Sequence, residues 1–140
     1  MANTTLPSIN DGLTADVTAV LQPSYTYALD YPNAGQINGF IDGLKAVKQA
    51  IYKIINTERY QYVIYSWNYG IELSDLFGKP IPYVYAEIQR RVTEALTWDD
   101  RINSVSNFQF SHNGGDILVT FDVATIYGTI TVEKGVTGIV

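Results

Sequence analysis

The residues able to do chemistry in this chain are few, and most are carboxylates. Glu58, Glu72 and Asp75 fall near predicted turns beside an aromatic-rich segment. Two such groups could cleave a glycosidic bond, which needs one protonated and one ionised carboxyl roughly 5 to 9.5 Å apart. Trp67 and Tyr69 could then stack on a sugar ring. Fourteen acids in 140 residues, however, bring carboxylates this close in sequence by composition alone. Cysteine is absent, which excludes disulfides, thiolate metal sites and a cysteine nucleophile. The single histidine, His112, reads as a loop residue beside Gly114-Gly115 and leaves no material for a His-rich metal site or a Ser-His-Asp triad. No glycine-rich phosphate loop occurs, so nucleotide binding has no support. No cofactor and no metal is expected.

What remains is the chemistry of contact. Only 16 % of residues are charged, against roughly 25 % in ordinary soluble domains. The net charge of −5 argues against nucleic acid as a partner, because phosphate binding needs a basic surface. Glu58-Arg59 follows a predicted helix and opens an aromatic run, where surface charge has no evident use. An exposed pair is worth under about 1 kcal/mol, whereas arginine forks and carboxylates at interfaces are committed to partner groups. In residues 60–69, both parities carry large side chains, among them Tyr60, Tyr62, Tyr65 and Trp67. A strand in a two-layer fold needs one apolar face, and tyrosine and tryptophan anchor interfaces. Residues 60–67 are expected to be a strand, broken at 68–70, with one face of the run against another protein.

The elements that must position these residues follow from periodicity. Residues 1–24 carry neither a helical nor an alternating period and read as an extended arm. They hold no basic residue, so no secretory signal is expected. The apolar stretch at 17–29 is interrupted by Gln22, Pro23 and Ser24 and is too short to span a bilayer. The chain is expected to be soluble and made in the cytoplasm. Tyr25, Tyr27, Leu29 and Tyr31 alternate as on a half-buried strand, a turn follows at 32–35, and a second strand returns over 36–40. Asp42 sits at an N-cap position before a helix over 43–56 with Leu44, Val47, Ile51, Ile54 and Ile55 on one face. Pro80 and Pro82 open a second helix whose buried stripe is Val84, Ile88, Val92, Ala95 and Leu96. A strand over 102–110 changes parity between Val105 and Phe108, which predicts a bulge. Asn113-Gly114-Gly115 predicts a hairpin. Ile117, Val119, Phe121 and Val123 alternate, and Ile126, Ile130 and Val132 continue on the other parity after a tight turn near Thr125. The class is α+β: a single domain over 25–134, with two main helices on a small antiparallel sheet, the arm before it and a tail over 135–140.

Residues 43–60 and 64–73, together with Arg90-Arg91, residues 99–102 and residues 125–128, resemble a family of baseplate proteins. Its members come from contractile-tailed phages and PBSX-like defective prophages, a branch of the group typified by the phage T4 baseplate wedge protein once labelled lysozyme-like. The resemblance covers about residues 25–132. It implies a structural baseplate wedge component, not an enzyme, that joins wedge subunits to the tail and initiates the sheath. A peptidoglycan hydrolase of the tail is the alternative. The implied partners are baseplate wedge proteins and the tail sheath protein, with tail tube or hub proteins next in line. About six copies would surround the tail axis of the virion. A glutamate-arginine motif after the first helix is a wedge contact in the larger group, and here it matches Glu58-Arg59.

Sheath initiation adds one expectation. Residues 125–132 hold no charge and no proline, the usual guards of an outer strand. Sheath proteins of the resembled systems hand strands to their neighbours, so Thr125, Tyr127, Thr129 and Thr131 are expected to lie where a sheath segment adds to the sheet.

Overall fold

Asp42 turns the chain from strand to helix by chemistry legible in its sequence: its carboxylate accepts a hydrogen bond from the Gly43 N–H at 2.7 Å. The computed structural model describes residues 24–30 and 36–137. The expected arm at 1–23, Tyr31, the turn at 32–35 and residues 138–140 lie outside the described residues. The elements are β1 (Thr26–Asp30), β2 (Gln36–Ile41), α1 (Gly43–Ile55), a 3-10 turn (Ser74–Leu76), α2 (Ile81–Thr97), β3 (Ile102–Asn113), β4 (Asp116–Thr125) and β5 (Gly128–Val136). The fold is α+β, as expected, with its strands in two antiparallel sheets, β1-β2 and β3-β4-β5.

The core lies between the two helices and the three-stranded sheet. From α1 come Val47, Ile51, Ile54 and Ile55; from α2 come Val84, Ile88, Val92, Ala95 and Leu96, the stripe read from periodicity. Pro82 sits in the first turn of α2, where no intrahelical N–H bond is lost. Leu44 is the exception on α1: it is 39 % exposed and lies in the first turn, beside Gly128. β4 is the central strand, and Ile117, Val119, Phe121 and Val123 all face the core. The turn at Ile126-Tyr127 pairs Thr125 with Gly128, so burial resumes on the other parity at Ile130 and Val132, while Ile126, expected on that face, lies in the turn and is exposed. In β3 the register skips between Ser106 and Gln109, and Asn107 adopts φ 55 there. This is the predicted bulge.

Three expectations are corrected. Gly135 and Val136, assigned to a tail, pair with Leu118 and Ile117 and extend β5. Lys134 secures that end by donating to Asn56 Oδ1 at 2.6 Å, at the C-terminus of α1, where carbonyl groups favour a cation. The β1-β2 hairpin does not present a half-buried face. Tyr25 and Tyr27 are 61 % and 58 % exposed and pack on Phe40, with ring centroids 5.0 and 4.8 Å apart. The hairpin is tied to α1 by the buried Gln49, whose Oε1 accepts from Leu29 N and whose Nε2 donates to Tyr27 O. The third correction concerns residues 60–67, which form turns where a strand was expected. A strand needs a ladder partner for its amides, and among the described residues none lies beside this run. Its hydrogen bonds are local instead, from Tyr65 N to Tyr62 O and from Tyr69 N to Ser66 O.

Candidate functional site

The turns at 60–69 form a loop closed at its base by α1's exit. Ile71 N donates to Thr57 O and Arg59 N donates to Ile71 O, which makes a one-rung parallel bridge between Glu58 and Ile71. Gly70 is required at this closure. It adopts φ +94, and a Cβ there would stand 2.5 Å from Thr57 O. From the base outward the loop carries no charge between Tyr60 and Ile71. Tyr60 and Trp67 meet edge to face at 6.2 Å, Tyr62 and Tyr65 likewise at 6.1 Å, and Tyr65 stacks on Tyr69 at 4.5 Å. These pairs hold the loop's shape while leaving Tyr60, Tyr62 and Trp67 largely exposed. The most exposed apolar residues of the loop, Val63 and Ile64, were not singled out from sequence. The interface argument picks out the aromatic members of the run, so these two aliphatic neighbours carry no signal of their own in the sequence.

Glu58 and Arg59 do not pair with each other. The Glu58 carboxylate accepts from Leu73 N (3.1 Å), Ser74 N (3.1 Å) and Ser74 Oγ (2.8 Å). Arg59 donates from Nε and Nη2 to Gly70 O and from Nη1 to Glu94 Oε1 at 3.2 Å. Its side chain is 10 % exposed. A third group reaches the same segment from α2. Arg91 donates to Glu72 O at 2.8 Å and to both oxygens of Asp75. The Arg91 fork holds the Asp75 carboxyl below its ordinary value. Asp75 is thus the reverse of a protonated general acid, and Glu58 is spent on three donors. His112 lies near the end of β3, not in a loop, with Nδ1 2.9 Å from Tyr85 OH. Among the described residues no cluster of three metal-ligating side chains occurs and no helix is long and apolar enough to cross a membrane.

The second candidate surface is β5, an outer strand of the three-stranded sheet. Thr125 and Tyr127 build the turn before it. Thr125 Oγ1 donates to Gly128 O at 2.7 Å and accepts from Tyr127 N, while Tyr127 OH lies 3.0 Å from Ser24 Oγ. Thr129 and Thr131 are exposed on the sheet face away from the helices, where Thr131 Oγ1 donates to Asp122. Counting from the two-residue turn, Thr129, Thr131 and Glu133 are the residues whose N–H and C=O face away from β4. No charge or proline guards this edge before Glu133.

The turn is braced from behind by Arg101, whose carbonyl accepts from Ile126 N and whose guanidinium forks onto Asp99 at 2.8 and 2.6 Å. Burial raises the Asp99 carboxyl, but the Arg101 side chain and backbone N–H outweigh it and leave the group below its ordinary 3.8. An acid with a depressed folded value contributes stability above its unfolded value and loses it as pH falls through the folded one. Asp99→Asn is therefore expected to destabilise the chain near neutral pH, with the gap to wild type closing below about pH 4. Urea midpoints measured from pH 7 to pH 2 check this; a constant gap would show that the Asp99 charge is unused.

Comparison with known proteins finds a family and a relative that this chain resembles over most of its length. The contractile injection system sheath initiator family matches residues 25–128. The "Phage-like element PBSX protein XkdS" of Bacillus subtilis (strain 168) is 40 % identical over 118 residues, covering 82 % of this chain and 84 % of that protein.

Proposed function

The chain belongs to the contractile injection system sheath initiator family, and from that premise we propose that it is a non-enzymatic part of a phage tail baseplate on which the first sheath ring is built. In this reading β5 is the sheath's starting edge. A terminal segment of a sheath subunit adds beside Thr129 and Thr131, gaining several backbone hydrogen bonds at a net of about 1 kcal/mol each. The unguarded edge of β5 is the observation that carries the reading, because soluble proteins normally block such a row of donors and acceptors. The opposite anchor is the loop at 60–69. Tyr60, Tyr62, Tyr65 and Trp67, joined by Val63 and Ile64 and based on Glu58-Arg59, meet the baseplate wedge proteins. About six copies around the tail axis, with tube or hub proteins as further neighbours, complete the arrangement in the virion after synthesis in the host cytoplasm. The hydrolase alternative gains nothing from the geometry, since Glu58 and Asp75 are both occupied by donors.

Assembly in the absence of this chain tests the proposal. Particles made without it are expected to have tubes but no attached sheath, and supplying the chain in trans should restore sheathed tails under negative stain. Sheathed tails of normal length without the chain would overturn the proposal.

A further inference from the structure

Glu58-Arg59 and Arg91, far apart in the chain, converge on one short strap, residues 70–74. We infer that Glu58, Arg59 and Arg91 are positioning residues that fasten this strap, so that the loop at 60–69 is held out in one shape; its contact with the wedge rests on the function proposed above. The strap's backbone is the common target. Arg59 takes Gly70 O, Arg91 takes Glu72 O, and Glu58 takes Leu73 N and Ser74 N. The strap has one backbone bridge to the rest of the fold, at Ile71. Leu73 O accepts from Leu76 N, and these three side chains supply the partners of Gly70 O, Glu72 O, Leu73 N and Ser74 N. The strap is worth fixing because two of its residues, Ile71 and Leu73, belong to the core.

Burial separates this role from direct contact. The Arg59 and Arg91 side chains are 10 % and 12 % exposed, while the loop between Tyr60 and Ile71 has no charge at all. Charge is thus kept at the base, and the surface offered outward is aromatic and aliphatic. The chemistry also requires forks. Arg59 divides its guanidinium between Gly70 O and Glu94, and Arg91 divides its own between Glu72 O, Asp75 and Glu87. A lysine carries the same charge but cannot serve these targets together.

The test uses Glu58→Gln, Arg59→Lys and Arg91→Lys in the full chain, free in solution, with amide hydrogen exchange as the readout. Amides of residues 60–74 are expected to exchange at least about tenfold faster in each variant, with those of β4 unchanged. Unchanged exchange at 60–74 would overturn the inference, and so would equal loss of protection in β4, which would make these groups part of the general core. Because no partner is present, failure here is distinct from failure of the proposed function. A second readout is assembly. Arg59→Lys should be as deficient in baseplate assembly as Arg59→Ala; full restoration by lysine would show that the partner reads charge and would also overturn it.

Discussion

Phe121→Ala is expected to cost about 3–5 kcal/mol of stability, the range for emptying a buried aromatic site. Phe121 is fully buried at the middle of the central strand and stacks on Phe108 at 5.3 Å. The core it belongs to is built from both helices and β5 as well as β4, and such close-packed surroundings refill an emptied site only in part. Domains of this kind retain about 5–15 kcal/mol in total, so the variant should lose a large share of its stability. Chemical denaturation checks this through a lowered midpoint with an unchanged slope. A loss below about 1 kcal/mol would mean that the sheet, and with it the geometry of β5, does not depend on this core.

Phe121 also marks where sequence reading succeeds. Alternation along β4 and the 3.6-residue period of α2 report burial directly, because each element buries one face against one layer. The cap at Asp42 and the bulge at Asn107 follow from local chemistry in the same way. The aromatic run at 60–69 defeats that logic. Its composition favours strand, yet strand propensity expresses packing against a neighbour, and the topology supplies none. Tyr25 and Tyr27 fail for a related reason: the hairpin they belong to rests on α1 through Gln49, and their alternation faces outward. For Glu58 and Arg59 the sequence showed that the charges were unusual but not whom they served. Their partners lie 11 to 35 residues away, beyond any local pattern.

Thr131→Pro should give the largest functional effect: tubes and baseplates assembled, and no sheath. The N–H removed by proline faces away from β4, so the β4-β5 ladder keeps its bonds. Proline is tolerated on an outer strand for that reason. An incoming segment loses an acceptor's partner and meets the ring, which forfeits pairing at the centre of the edge. Thr131→Val is the matched control. It keeps the N–H and removes only the hydroxyl's bond to Asp122, so it should sheathe normally. Thr129→Pro should repeat the defect. Electron micrographs scoring sheath length decide the matter, and full-length sheaths on either proline variant would rule out strand addition at β5.

Under the proposed function, the sheath begins on this chain by extending its three-stranded sheet. The most direct measurement is a cryo-electron microscopy map of the junction between baseplate and first sheath ring, at a resolution that traces the backbone. The expected map shows a segment of a sheath subunit running beside Thr129–Glu133, with its backbone within hydrogen-bonding distance of β5. A β5 edge facing solvent, with the sheath seated on the helices or on the β1-β2 hairpin, would contradict the account.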